Sequence, residues 1–114
     1  MSTFSLAFPF EINSSFLKYP THPITVPKSI VDYDHLKAEM LHQGEFVVIF
    51  PKGERITAKM YFNAYPSGYR PYYQLRLRGG KRAVPNYVKI GDKFFVALVR
   101  MGRKSYAIVE QGSS

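Results

Sequence analysis

Cysteine and tryptophan are both absent from the 114 residues. Without cysteine there is no disulfide, no thiolate nucleophile and no cysteine-based metal centre, which is compatible with a reducing compartment. The three histidines, His22, His35 and His42, are not spaced as metal ligands, and no carboxylate completes a site around them. Their order supports no Ser-His-Asp arrangement. Asp32 and Asp34 fall at a predicted helix start, where the helix dipole accounts for them. Arg78-Gly79-Gly80 is a single copy and not an RGG tract, and Gly80-Lys81 lacks a phosphate-loop context. The chain therefore reads as non-enzymatic, with no cofactor and no metal.

Long apolar runs are missing too, since no stretch approaches the roughly 20 residues that a bilayer crossing needs. The N-terminal MSTFSLAFPFEINSS has no basic region before its apolar residues and is interrupted by Glu11, so neither a signal peptide nor a membrane span is expected. A cytoplasmic location follows as the expectation, nuclear if the source is eukaryotic. Acidic residues are scarce: eight Asp and Glu face sixteen Lys and Arg, for a formal charge of +8. Residues 1–69 carry six basic and six acidic side chains, so the excess belongs to the second half. Between Arg70 and Lys104 there are ten cations and one acid, Asp92.

What is present is a core. Hydrophobic residues make up 46% of the chain, with nine Phe and nine Tyr, too many for a disordered basic tail. One domain spanning residues 1–114 is expected at this length.

Strand signals recur along the chain. Thr3 to Phe10 reads as a strand ended by Pro9, followed by a polar loop from Glu11 to Ser15. Ile24-Thr25-Val26 is a short strand between prolines. Ser29 and Asp32 have capping-box spacing, and Tyr33, Leu36, Met40 and Leu41 recur at helical spacing up to a stop at Gly44, which predicts the principal helix. Glu45 to Phe50 and Arg55 to Phe62 form a hairpin around Pro51-Lys52-Gly53-Glu54. In its second arm Ile56, Ala58, Met60 and Phe62 alternate with Arg55, Thr57, Lys59 and Tyr61. After the turn-rich NAYPSGYRP, the next strand sets Tyr73, Leu75 and Leu77 against Tyr72, Gln74, Arg76 and Arg78. Lys81 to Ile90 has room for a second short helix or an irregular turn. The apolar FFVALV within Lys93 to Arg100 predicts a strand covered on both faces, and Lys104 to Glu110 is the last strand. The expected fold is mainly β, a seven-stranded, nearly closed barrel with one principal helix, because closure hides strand edges that would otherwise aggregate.

The order of these elements resembles the DNA-binding pseudobarrel group, most closely the B3 domain of plant transcription factors and the recognition domains of some bacterial restriction endonucleases. The similarity rests on ITVPKSI (24–30), FPKGERITAKMYF (50–62), NAYPSGYRPYYQLRL (63–77) and VKIGDKFFV (88–96), in that order. It implies two arms gripping the major groove of double-stranded DNA. The first falls on Glu11, Asn13, Ser14, Ser15 and Lys18; the second falls on Asn63, Tyr65, Ser67, Tyr69 and Arg70, with Arg76 or Arg78 behind. The chain departs from the group in lacking tryptophan and in its compact basic segment after Gly79, where Lys81 and Arg82 are added candidates. The restriction-endonuclease likeness also implies a nuclease on a separate domain or subunit.

The residues support a nucleic-acid partner on their own chemistry. Gln74, Arg76 and Arg78 are spaced about 6.6 Å apart along one strand face, close to the spacing of successive phosphates. Arginine offers a planar donor fork to phosphate or guanine, while Asn13, Asn63 or Gln74 suits an adenine edge. Tyr61, Tyr65, Tyr69 and Tyr72 beside these cations leave a second reading open, an RNA or single-stranded nucleic-acid binder. A third is a small protein-interaction or inhibitor module that meets an acidic protein.

Overall fold

The computed structural model describes residues 4–27, 44–63, 72–80 and 83–112, and the burial of side chains at 4, 5, 62, 63 and 72 falls outside that description. Seven strands form one sheet: β1 (Phe4–Glu11), β2 (Ile24–Thr25), β3 (Glu45–Ile49), β4 (Arg55–Asn63), β5 (Tyr72–Leu77), β6 (Lys93–Met101) and β7 (Lys104–Gln111). Their order is β1-β6-β7-β3-β4-β5-β2, and the sheet curls into a nearly closed barrel with β1 and β2 at its edges. All neighbours are antiparallel except β3 and β7, where Val47 lies opposite Tyr106 in a parallel ladder.

Period-two alternation fills the interior. Phe46 and Val48 of β3, Ala58 and Met60 of β4, Tyr73, Leu75 and Leu77 of β5, Phe94, Val96 and Leu98 of β6, and Ala107 and Val109 of β7 are all buried in one core. The expected alternation in β4 and β5 is therefore observed. In β6 the expectation of two covered faces is not met: Phe95 is 45% exposed and Met101 60% exposed, so this strand alternates like the others despite its apolar composition. An unbroken apolar run cannot by itself distinguish a twice-covered strand from one whose outer side chains are merely apolar.

The seam between the edge strands is bridged by the segment from Ile12 to His22. Ile12 pairs with the turn before β6 (Ile12 N to Asp92 O, 2.9 Å; Gly91 N to Ile12 O, 2.8 Å), and Leu77 N donates to Thr21 O at 2.7 Å on the other side. Here the sequence predicts a loop from Glu11 to Ser15, and the structure differs. Glu11 continues β1, and a one-turn helix, α1 (Ser14–Lys18), follows. Asn13 caps it, its side-chain oxygen accepting from Phe16 N at 2.8 Å. Phe16 is buried and meets the ring of Phe10 edge-on, with centroids 5.3 Å apart. The polar run thus hides a helix start whose anchor is the aromatic residue just beyond it. Pro9 lies inside β1 and does not end it, and an edge strand tolerates proline because its N side can face away from the ladder.

Two turns need glycine for their backbone angles. Gly91, before β6, has φ +93, and Gly53, in the β3–β4 hairpin, has φ +93. Gly44 has φ +66, the left-handed angle expected of a helix stop, while the predicted principal helix itself, including His35 and His42, lies outside the described residues. The segment from Ala83 to Gly91 is a series of turns, closed by Ala83 N to Gly80 O (3.1 Å) and Val88 N to Pro85 O (3.1 Å). No described helix is long and apolar enough to cross a membrane.

Candidate nucleic-acid interface

The outer wall of the barrel is divided by the same alternation that builds its core. On β6 the outward positions after Lys93, namely Phe95, Ala97 and Val99, are apolar, whereas on β4 they are Arg55, Thr57, Lys59 and Tyr61, and on β5 they are Gln74 and Arg76. Register then aligns the charges. Lys59 lies opposite Arg76 on β5 and opposite Glu45 on β3. Lys104 opens β7 two residues before Tyr106, as Glu45 stands two residues before its partner Val47. Arg78 follows β5 and is exposed, its N–H bonded to Thr57 O at 2.8 Å.

Several of these side chains are held in place. The Arg76 guanidinium carbon lies 4.4 Å from the ring centroid of Tyr61, and Arg76 Nε donates to Gln74 Oε1 at 3.0 Å. Gln74 Nε2 in turn donates to Thr25 Oγ1 at 3.2 Å. Lys59 Nζ lies 5.6 Å from the same tyrosine ring. A stacked, hydrogen-bonded arginine keeps its charge and its remaining N–H groups while losing rotamer freedom, so an anion meets a partly organised donor set.

Among the residues expected in the first arm, Ser14 and Lys18 are exposed on α1, and Asn13 is exposed with its oxygen engaged as the cap. His22 ties α1 to the turn that follows β5. This buried side chain, at 3% exposure, places Nδ1 2.7 Å from Phe16 O in α1 and Nε2 2.9 Å from Gly80 O in the turn after β5. Sequence reasoning judged His22 only as a metal ligand and missed this role; its place between the Pro20-Thr21 turn and Pro23 is the signal that was available. Among the described residues no cluster of His, Asp and Glu is arranged to hold a metal ion.

Of the second arm, Asn63 ends β4 opposite Tyr72. Tyr65, Ser67, Tyr69, Arg70, Lys81 and Arg82 lie outside the described residues. The structure thus brings Arg76 and Arg78 together on one face and adds Arg55, Lys59 and Lys104 to it, which had not been singled out as site residues.

A separate cluster fixes the β3–β4 turn. Tyr87 Oη donates to Glu54 Oε1 at 2.8 Å and accepts from Lys52 N at 3.3 Å, and Lys52 Nζ sits 4.6 Å from the ring centroid. Burial, and then the hydrogen bond to Glu54, raise the phenol above its ordinary 10.0. The arrangement pins a turn and offers no nucleophile.

In comparisons with known proteins, no family model matches the chain and no curated protein matches it significantly.

Proposed function

We propose that this chain is a double-stranded DNA-binding domain of the B3-like pseudobarrel kind. Its basic outer sheet positions the phosphate backbone, and the β1–β2 and β4–β5 connections read a short site in the major groove. One observation carries this reading: β4 and β5 present Arg55, Lys59 and Arg76 outward, with Lys59 and Arg76 in register and Arg78 at the margin, and Lys104 stands beyond β3 on β7, while Phe95, Ala97 and Val99 on the outside of β6 are apolar. Clustering cations on one wall is what binding a polyanion requires, because each neutralised phosphate releases condensed counterions.

The division of labour follows from the chemistry. Cations on rigid strands set register without reading sequence, and amide side chains at the connections, Asn13 and Asn63, supply base contacts. In the likeness to restriction endonucleases, cleavage belongs to a separate domain or subunit. Fluorescence anisotropy with randomised duplexes across a salt series tests the proposal. A steep fall of affinity with salt is expected, and weak, salt-independent binding overturns it. Selection from a random duplex library then tests base reading through enrichment.

The single-strand reading draws on the exposed ring of Tyr61, yet that ring already carries Arg76 and Lys59, which favours a backbone-positioning use over base stacking. Tighter binding of single-stranded oligonucleotides than of duplex would reverse this preference.

A further inference from the structure

The basic wall does not end at Lys59. Beyond it, β3, β4 and β7 enclose an open cleft of about 440 Å³, lined by Arg55, Thr57, Arg103, Lys104, Tyr106 and Glu45. Its floor is set by register: Val47 lies opposite Thr57 on one side and Tyr106 on the other, so two hydroxyl-bearing residues flank one apolar residue. Arg55 stands two residues along β4 from Thr57 in one direction, and Lys104 two residues along β7 from Tyr106 in the other. Four residues of strand separate these two levels, about 13 Å of backbone. Arg103 joins from the β6–β7 turn. Three cations therefore face one carboxylate, Glu45, across a floor with neutral donors.

We propose that this cleft is a second phosphate subsite, through which the nucleic-acid backbone continues after crossing β5 and β4. The inference rests on the duplex-binding reading above and extends it. The backbone runs from Arg76 and Arg78 over Lys59 and reaches the cleft, a path across β5, β4, β3 and β7 of three strand spacings, or about 14 Å. The path has physical grounds. Outward cations occur on β5, β4 and β7, whereas β6 has one only at its first residue, Lys93, opposite Glu11 of β1, and then offers Phe95, Ala97 and Val99, so the charged strip stops where this apolar stretch begins. Diester phosphates are suited to such a strip because each carries one charge and accepts from hydroxyls as well as from guanidinium groups. Glu45, which lines the cleft, is the one carboxylate on this path, and Lys59 stands opposite it in register.

The test is a salt titration of duplex binding by the full chain, comparing the wild type with Arg55→Gln/Lys104→Gln and with Arg76→Gln/Arg78→Gln. Arg55, Lys104 and Arg78 are exposed and Arg76 is half-buried, and urea denaturation of every variant checks that folding is retained. Loss of two phosphate contacts in the cleft variant lowers the slope of log K against log salt by about 2 and weakens binding roughly tenfold at moderate salt. Single Arg55→Lys restores the slope on that side. A cleft variant with wild-type slope and affinity overturns the subsite while leaving duplex binding intact, provided Arg76→Gln/Arg78→Gln is impaired. Absence of salt-dependent duplex binding by the wild type overturns both. If inorganic phosphate at fixed ionic strength perturbs the Tyr106 and Thr57 resonances and duplex does not, the cleft is a small-anion site and the backbone path is wrong.

Discussion

Arg76 is stacked on Tyr61, its guanidinium carbon 4.4 Å from the ring centroid, with its Nε committed to Gln74 at 3.0 Å. The pair joins β5 to β4 on the outside of the barrel. Arg76→Ala is expected to weaken duplex binding by a similar factor for all sequences and to reduce the salt slope by about 1. Tyr61→Leu keeps the charge but removes the platform, so it should weaken binding less and leave the slope near the wild-type value. Anisotropy titrations with two unrelated duplexes measure both. A sequence-dependent effect of Arg76→Ala would instead assign this residue to base reading.

His22 ties α1 to the turn after β5, and its removal should be felt in folding. His22→Ala leaves the carbonyl oxygens of Phe16 and Gly80 without the ring and empties a buried site, for a loss of about 3 kcal/mol. Its φ of +42 makes a β-branched replacement worse, so His22→Val should be less stable than His22→Ala. Urea denaturation midpoints decide the order. Equal stabilities for the two variants would show that the backbone angle carries no cost.

Much of the barrel was legible because alternation is a local signal. Ala58 and Met60 against Lys59 and Tyr61, and Leu75 and Leu77 against Gln74 and Arg76, announce which side chains point inward before any pairing is known. Pairing itself is nonlocal. Nothing near Lys104 indicates that β7 lies parallel to β3, so the joining of Lys104, Arg55 and Glu45 in one cleft could not be read from the chain. Helix α1 was missed because a five-residue helix has too few turns to show a period, and its polar start at Asn13-Ser14-Ser15 looks like a loop until Phe16 is seen to be buried. Phe95 was misjudged for the complementary reason, since composition reports apolarity and not coverage.

Tyr87 gives the fold an alkaline sensitivity. Its phenol is raised above 10.0, chiefly by burial, so the folded state holds the proton more tightly than the unfolded chain. That contribution is complete below the ordinary tyrosine range and is lost as pH rises through the folded value. Tyr87→Phe removes the bonds to Glu54 and Lys52 N and should lower stability by about 1 kcal/mol at neutral pH. The gap between variant and wild type should narrow above pH 10. Denaturation midpoints at neutral and alkaline pH test this, and a constant gap would mean that the phenol is not what titrates.

Asn13 separates two uses of one side chain. Its oxygen accepts from Phe16 N, which any acceptor of similar length can do, whereas reading an adenine edge also requires the amide to donate. Asn13→Asp keeps the cap and removes the donor; Asn13→Ala removes both and should cost about 1 kcal/mol of stability. If the first arm reads bases, Asn13→Asp changes the preferred sequence in a library selection with stability unchanged, while also weakening binding uniformly through its added negative charge. If Asn13 only caps α1, Asn13→Asp selects the wild-type sequence at reduced affinity. The enriched sequence, and not the affinity, is therefore the measurement that assigns the residue.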